Sequence, residues 1–339
     1  MSQSYSFYFG LDDKVIGVLY LSLFKDILQR EGCQLRGYSG PVADLTDYRK
    51  RVSPRVAYQT FTESLCGAPA GIGFKYGEAL NLVAADSVGQ LIMSCPDVRQ
   101  AFLALQQFHP LLSVSTDIRF ESSGDVAMID FGPGYGVGTP DLMKRFTTES
   151  VYTALLSQVR WLTGAPLRYR KLYIPYSRPA YSDKYEAVFD CDIHYGASTH
   201  RIEFDTDYFD LPIITANEQI RRIKSRHCAD TLRRWESRLT IENRIKAILL
   251  RTYPDFPSLE EVASRLHTSR SCLYRKLRMS QTSYQGLINE FKRDKSLSLL
   301  RQTSLTVPEI AAELGFSDAS SFRRAFKSWT GYQPSAVRG

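Results

Sequence analysis

The chain has 339 residues, of which 43% are hydrophobic and 23% are charged. At about 100–200 residues per domain, this length predicts two or three domains, each able to bury a core. The composition excludes a disordered, collagen-like or disulfide-scaffold chain. No stretch reaches the roughly 20 apolar residues of a membrane span, and the N-terminus lacks the pattern of a secretory signal. We therefore expect a cytoplasmic protein whose six scattered cysteines are reduced thiols.

Charge is divided unevenly along the chain. Residues 1–220 hold 20 Lys and Arg against 25 Asp and Glu, a net charge of −5, whereas residues 221–339 hold 23 against 11, a net charge of +12. An acidic part joined to a strongly basic part indicates a sensor or partner domain followed by a domain that binds a polyanion. The alternative is a basic face that is simply solvated.

Residues 1–213 carry a mixed α/β pattern. Asp97 or Ser94 caps one of the predicted helices, and Gly164 with Pro166 ends another. Two segments separated by Ser-Ser-Gly, the second of which alternates apolar and polar residues, predict a hairpin around 122–124. In chain order, helices are predicted at 14–30, 97–109, 149–162 and 179–189, and the strands after the hairpin at 171–176, 191–195 and 200–205.

From about residue 214 onward the pattern is helical throughout. Residues 215–238 contain neither Pro nor Gly and read as a long polar helix or linker. The domain boundary is therefore expected between 212 and 238.

The last hundred residues contain two segments of the same design, each a short helix, a tight turn and a second helix. In the first, at 259–278, His267-Thr268 forms the turn and Ser269 the N-cap. In the second, at 307–329, Gly315 forms the turn and Ser317 or Asp318 the cap. The residues expected to face inward are Val262, Ala263, Leu266, Leu273 and Leu277 in the first segment, and Ile310, Ala311, Leu314, Phe322 and Phe326 in the second.

Both segments are helix-turn-helix units, in which the second helix can enter a DNA major groove. The segment between them, about 283–302, has an apolar face and forms a rod of ~30 Å if helical. One turn of B-DNA is ~34 Å. The connector would therefore let both recognition helices reach successive major-groove segments on one face of the DNA.

The stretch IAAELGFSDASSFRRAFKSWTGYQPSAVR resembles the C-terminal signature of the AraC/XylS family of bacterial transcription regulators. TSRSCLYRKL and TSYQGLINEFK match the first helix-turn-helix unit and the connecting helix of that family, so that the resemblance covers 236–339. A looser resemblance covers roughly 15–212. With Gly89, the 96–101 turn and the 179–189 segment as landmarks, this part is similar to the arabinose-binding-type N-terminal domain of ornithine-utilisation and quorum-sensing-linked members.

This resemblance implies a two-domain fold, with a mixed α/β N-terminal effector domain and an all-α C-terminal domain of two helix-turn-helix units joined by a long helix. We assign 1–213 to effector sensing and dimerisation, 214–235 to a helical linker and 236–339 to DNA binding. The implied function is a sequence-specific regulator, most simply an activator that works with RNA polymerase at promoter DNA. A small-molecule effector and a homodimer are expected, and a cofactor, a metal, an enzymatic activity and a membrane are not.

Four side chains project from the first recognition helix, away from Leu273 and Leu277: Arg270, Ser271, Tyr274 and Arg275. The base-reading positions of the family fall on the last three. Arginine is the commonest specific reader, bidentate to guanine. The alternative for Arg275 is an ion pair or a phosphate contact.

On the second recognition helix the candidates are Ser320, Ser321, Arg323 and Arg324. The serines are small enough to approach the groove but read little, and the arginines are the better readers. Phosphate contact or simple solvation is expected for Lys276, Arg278, Lys292, Arg293 and Lys327.

Several other patterns remain open. The glycine-rich segment 131–140 fails both GxGxxG and the P-loop pattern and reads as a loop over a pocket. Cys191, His194 and His200 fall on strands predicted to be adjacent, which would permit a metal site. Tyrosines and arginines of the N-terminal domain, Arg49, Arg170 and Tyr169 among them, offer partners for an anionic effector without defining its pocket.

Dimerisation is expected through 149–162 or through 216–236, where Ile220, Ile223, Leu232 and Trp235 are candidates for an apolar stripe. Control by a partner protein or by thiol redox chemistry is the alternative to a small-molecule effector. Two further alternatives are a DNA-repair enzyme with a helix-turn-helix module, which would need clustered cysteines, and non-specific nucleoid binding driven by charge.

Overall fold

A computed structural model describes residues 14–47, 49–112, 118–131, 141–197, 199–238, 240–252, 255–302 and 305–337. These residues form two compact units, an N-terminal unit that ends at Arg234 and a C-terminal unit that begins at Trp235. In the part of the chain that the structure describes, no helix is long and apolar enough to cross a membrane. The predicted glycine-rich loop lies, after Phe131, outside the described residues.

The N-terminal unit is mixed α/β, as the sequence predicts. Its strands are β1 (Ile16–Gly17), β2 (Arg51–Val52), β3 (Ile118–Ser123), β4 (Val126–Phe131), β5 (Tyr169–Ile174), β6 (Asp192–Tyr195) and β7 (His200–Asp205). Its helices are α1 (Leu19–Arg30), α2 (Pro54–Leu65), α3 (Ile72–Ala79), α4 (Asp86–Met93), α5 (Val98–Phe108), α6 (Asp141–Thr163) and α7 (Ser182–Phe189). The long helix α8 (Glu218–Arg238) begins in this unit and continues past its last residue, Arg234.

The main sheet has the strand order β3-β4-β7-β5-β6. The neighbours are antiparallel except for β5 and β6, which are parallel and joined through α7. Alternate residues point to one face because the side-chain period of a strand is two. That face is the main core of the unit, and Ile129, Leu172, Ile202 and Phe204 are all but inaccessible in it.

Helices α3 and α6 approach each other through glycines spaced four residues apart. A Cβ atom on Gly73 would lie 2.6 Å from the carbonyl oxygen of Phe146, and one on Gly77 would lie 2.8 Å from the Cβ of Thr153. Real Cβ atoms do not come that close to their neighbours, so only glycine fits at either position. The pair fixes α6 against α3, and this places Glu149 and Tyr152 inside the unit.

The predicted elements of this unit are largely confirmed. Asp97 caps α5 by accepting from the backbone N–H of Gln100, and β3 and β4 form the hairpin. The helix predicted at 14–30 is wrong at its start, because residues 16–17 pair with β2 as a strand. The helix predicted at 149–162 begins eight residues earlier, at Asp141, and stops before Gly164, whose φ is +75°.

The metal arrangement suggested by the sequence is wrong in its topology. Cys191 and His194 lie at the edge strand β6, whereas His200 lies on β7, and β5 runs between the two. Neighbouring strands are about 4.8 Å apart, so these residues are separated by two strand spacings. Among the described residues, no group of three His, Cys, Asp or Glu side chains converges on a metal position.

Helix α8 also departs from its prediction. Cys228 and Leu232 are buried, whereas Ile220 and Ile223 are 44% and 63% exposed. Ile223 and Leu232 are nine residues apart, which is two and a half helical turns and therefore half a revolution. Ile223 and Leu232, two of the four apolar residues predicted to form one stripe, thus lie on opposite faces of α8.

The C-terminal unit is all-α. Its helices are α9 (Ile241–Thr252), α10 (Leu259–Arg265), α11 (Arg270–Met279), α12 (Tyr284–Gln302), α13 (Val307–Glu313) and α14 (Ala319–Thr330). Its described residues form two hydrophobic cores, one built on α9–α11 and the first half of α12, and the other on the second half of α12 with α13 and α14. The two predicted helix-turn-helix units and their connecting helix are confirmed.

The two helix-turn-helix units of the C-terminal unit repeat the same local chemistry. Ser258 with Glu261 and Thr306 with Glu309 both form capping boxes, which satisfy free N–H groups at the starts of α10 and α13. Both turns then pass through a left-handed residue, His267 with φ +52° and Gly315 with φ +68°. A backbone hydrogen bond of 2.9 Å closes each turn. It runs from Thr268 N–H to Ala263 O in the first helix-turn-helix unit and from Phe316 N–H to Ala311 O in the second.

Candidate nucleic-acid interface

The first recognition helix, α11, is oriented by its cap and its buried leucines. Ser269 accepts a hydrogen bond from the backbone N–H of Cys272 at 3.2 Å, which starts the helix. Leu273 and Leu277 are buried in the first core. Because these positions face inward, the opposite side is exposed, and it carries Ser271, Tyr274, Arg275 and Arg278. Arg270 is exposed as well, at the first residue of the helix, but it lies seven residues before Leu277 and therefore on the side of that leucine.

The exposed surface of α11 is continuous at its C-terminal end. Tyr274, Arg275, Arg278 and Met279 line one open depression. Tyr274 is 56% exposed and Met279 is 80% exposed. The sequence analysis did not identify Met279 as part of this surface. The signal that could have done so is an apolar residue at the end of a recognition helix. The surface therefore offers an aromatic ring, two guanidinium groups and a thioether together.

Arg270 is already engaged within the unit. Its Nη1 lies 2.7 Å from Oε1 of Glu260 on α10. Both side chains are more than half exposed, so this is a surface ion pair with a small effect on stability. It does hold the Arg270 guanidinium toward α10, which sets it apart from Arg275.

Cys272 lies in the first turn of α11. A hydrogen bond with the Thr268 side chain, followed by the nearby charges of Lys276 and Arg275, lowers the pKa of its thiol. Burial instead raises the pKa of Cys95 to about 11, of Cys191 to about 12 and of Cys228 to about 11. Cys272 is therefore electrostatically unlike these three thiols.

The second recognition helix, α14, begins at an acidic cap. Asp318 accepts from the backbone N–H of Ser321 at 2.7 Å, and this bond, ahead of the one from the Ser321 hydroxyl, lowers the pKa of Asp318 to about 2. The Ser321 hydroxyl donates to Asp318 Oδ2 at 2.8 Å and accepts from Arg324 at 3.3 Å. The Ser321 hydroxyl is thus already hydrogen-bonded within the first turns of α14, whereas Ser320, Arg323 and Arg324 are exposed.

The outward positions of the two recognition helices correspond. Counting from the caps, Ser269 and Asp318, the buried Leu273 and Leu277 stand where Phe322 and Phe326 stand. By the same count, Tyr274 and Arg275 correspond to Arg323 and Arg324. All four of these outward side chains are exposed. The two helices therefore present side chains able to donate hydrogen bonds at matching positions.

The N-terminal unit contains a buried network of polar side chains around Glu149. Glu149 is 1% exposed and accepts hydrogen bonds from the hydroxyls of Tyr181 at 2.9 Å and Tyr185 at 2.7 Å. Tyr185 is also 2.9 Å from the hydroxyl of Tyr176. Burial raises the pKa of Glu149, while its hydrogen bonds with Tyr185, Tyr181 and Gly73 act against that shift. This network joins α6 to α7, and its acceptors are occupied.

Residues considered for an anionic effector are largely engaged elsewhere. Arg49 pairs with Asp47 at 2.9 Å, and Arg170 pairs with both Asp125 and Asp205. The Tyr169 hydroxyl donates to the carbonyl of Tyr152 at 2.6 Å. Arg49, Arg170 and Tyr169 are therefore each engaged by other residues of the unit.

Comparison with known proteins places both parts of the chain. Residues 35–213 match the model of the arabinose-binding domain of AraC transcription regulator, and residues 262–339 match a helix-turn-helix domain. The ornithine utilization regulator of Pseudomonas aeruginosa is 29% identical over 276 residues, which are 81% of this chain and 80% of that protein. An uncharacterized helix-turn-helix regulator of Mycobacterium tuberculosis is 24% identical over 78% of each chain.

Among solved structures, the transcriptional regulator CdpR from Pseudomonas aeruginosa has a similar fold. The TM-score is 0.50 at 22% sequence identity, over 94% of this chain and 98% of that one. At this identity the likeness concerns the fold alone. It extends over both units, in line with the two family matches.

Proposed function

The chain belongs to the AraC family of DNA-binding transcription regulators, and from that premise we propose that both recognition helices read one promoter site under the control of a small-molecule effector. The observation that carries the proposal is the correspondence of Tyr274 and Arg275 with Arg323 and Arg324. A protein that bound DNA by charge alone would need no such matching side chains.

In this proposal Arg275 and Arg323 are the principal base readers. Arginine donates two parallel hydrogen bonds to guanine, which discriminates against a wrong base by about 1–3 kcal/mol. Ser271 and Tyr274 on α11, with Ser320 and Arg324 on α14, complete the contact surface. Arg270 and Ser321, whose groups are engaged by Glu260 and Asp318, serve orientation and backbone contact.

The test is selection of preferred duplexes from a random pool by the full-length protein, followed by binding measurements with Arg275→Ala and Arg323→Ala. Each variant is expected to lose discrimination at one or two base pairs, in different halves of the site. Arg278→Ala is the control, because a phosphate contact weakens all sequences alike and lowers the salt slope by about one. Equal loss on every sequence for Arg275→Ala would contradict its role as a base reader.

We place the effector in residues 1–213. The ornithine utilization regulator is similar along four-fifths of its length, so basic amino acids such as ornithine and arginine come first in a ligand panel, with sugars, fatty acids and quorum signals after them. A ligand at 100 times its dissociation constant stabilises the native state by about 2.7 kcal/mol, which is about 5–10 °C for a unit of some 200 residues. If no compound raises the thermal unfolding temperature of the N-terminal unit, control by a partner protein or by thiol chemistry becomes the better proposal.

We also propose that the protein acts as a homodimer in the cytoplasm and activates RNA polymerase at its promoter. The exposed Ile220 and Ile223 on α8 supply the candidate contact with a second copy. Sedimentation of the full chain is expected to give a dimer that Ile223→Glu weakens. Unchanged sedimentation would direct attention to α6, whose Trp161 is 56% exposed.

A further inference from the structure

Lys292 does not behave as the solvated or phosphate-binding residue that its position in a basic segment predicts. Its Nζ lies 5.0 Å from the ring centroid of Phe256 and 4.4 Å from that of Phe316. The side chain is only partly accessible, and desolvation lowers its pKa. Both distances are within the roughly 6 Å at which an ammonium group is attracted to the face of an aromatic ring.

The two rings belong to different helix-turn-helix units. Phe256 precedes α10, packs on the first core and meets Phe291 at 5.6 Å. Phe316 is in the turn between α13 and α14, packs on the second core and meets Phe322 at 5.5 Å. One ammonium group thus contacts a ring from each unit.

The position of Lys292 on α12 explains why this contact has consequences. Leu287 and Ile288 on the first half of the helix pack in the first core, whereas Leu299 and Leu300 on the second half pack in the second core. Lys292 lies between these two pairs, near the middle of a helix of 19 residues. Rotation of one helix-turn-helix unit relative to the other about α12 would remove the ammonium group from at least one ring.

We propose that Lys292 is a positioning residue that fixes the angle between the two recognition helices, and so restricts the protein to DNA sites with one spacing between the two half-sites. The proposal rests on the proposed function in one respect, namely that α11 and α14 bind the same DNA. The spacing is a sensitive measure of the angle, because one base pair shifts a half-site by about 3.4 Å and rotates it by about 35°.

The first experiment measures the angle in the full-length protein without DNA. Spin labels carried by unnatural side chains at Gln281 and Gln333, both exposed, report the distance between the two helix-turn-helix units. We expect a narrow distribution in the parent protein, a broader one in Lys292→Met, which keeps an apolar stem without the charge, and a narrow one again in Lys292→Arg. Identical distributions in all three proteins would overturn the proposal.

The second experiment uses the selected site and the same site with one base pair inserted or deleted between the half-sites. Lys292→Met is expected to reduce the preference for the original spacing by about 3- to 10-fold, the range of a partly desolvated cation–π contact, whereas Lys292→Arg retains that preference. Lys276→Met, at an exposed lysine of α11, is the control and should weaken all spacings equally.

The outcomes separate the two proposals. If Lys292→Met weakens every spacing equally, Lys292 is a phosphate contact or a stabilising residue, and the positioning role is wrong. If the parent protein selects no sequence at all, the proposed function fails, while the label distances still decide whether Lys292 sets the angle.

Discussion

Replacing Gly77 by alanine probes the packing of α3 on α6 with a single added methyl group. The new Cβ would lie 2.8 Å from the Cβ of Thr153, 3.1 Å from the backbone nitrogen of Ala154, and closer still to the carbonyl oxygen of Ser150. Two of these atoms are backbone atoms of α6, so no side chain can rotate away. The helices themselves have to separate.

The expected magnitude is the balance of two effects. Overpacking of a close-packed interior costs about 1–3 kcal/mol, and a clash with backbone belongs at the upper end. The higher helix propensity of alanine offsets about 1 kcal/mol of this loss relative to glycine. The free energy of unfolding should therefore fall by about 2 kcal/mol, which corresponds to about 4–8 °C for a unit of this size.

Differential scanning calorimetry of the full chain measures this effect, with Gly17→Ala as the control because its Cβ would meet nothing within 4 Å. Only the transition of the N-terminal unit should move, and DNA binding by the C-terminal unit at low temperature should persist. A variant as stable as the parent protein would refute the close approach of α3 and α6. A shift as large for Gly17→Ala would show that the loss is not specific to this helix pair.

Two further predictions concern titratable groups. Cys272 should react with iodoacetamide at pH 8 faster than Cys95, Cys191 or Cys228, because its thiol pKa is lowered and theirs are raised. Mass spectrometry of timed samples gives the order of labelling, and earlier labelling of any of these three thiols would contradict the prediction. Glu149 has a pKa above its ordinary value of about 4.3, so the folded protein holds this proton more tightly than the unfolded chain. The free energy of unfolding should therefore fall as pH rises from the pKa of Glu149 in the unfolded chain to its pKa in the folded protein. The parent protein should show this decrease relative to Glu149→Gln in urea titrations, and parallel pH profiles of the two proteins would count against a raised pKa.

The C-terminal unit could be predicted from the sequence in detail because its signals are local. A capping residue, a turn and apolar residues four apart define each helix-turn-helix unit within about 20 residues, so that Ser269, Gly315 and the inward Phe322 were all assigned correctly. His267 is instructive here, since it takes the left-handed conformation that Gly315 takes in the second unit, and a motif based on glycine alone would miss the repeat.

The parts that sequence reasoning missed depend on contacts between distant residues. The sequence around Lys292 predicts a phosphate contact or simple solvation, because nothing in that neighbourhood indicates that Phe256 and Phe316 meet this side chain. The order of β5, β6 and β7 was likewise not encoded locally, since β6 pairs with β5 across the α7 connection and leaves β7 on the other side. Glu149 gave no sequence signal either, because its burial follows from the glycines of a different helix.

Charge and base readout together show why the angle between the two units matters in the proposed mode of binding. The charge of +12 on residues 221–339 attracts any DNA. Specific sites are usually preferred over non-specific DNA by about 4–10 kcal/mol, whereas one bidentate arginine supplies about 1–3 kcal/mol. Arg275 on α11 alone therefore falls short of that range, whereas Arg275 together with Arg323 on α14 would supply about 2–6 kcal/mol and so extend into it. Simultaneous engagement of both helices is then a requirement for specificity, and a residue that fixes their relative orientation contributes to sequence recognition without touching a base.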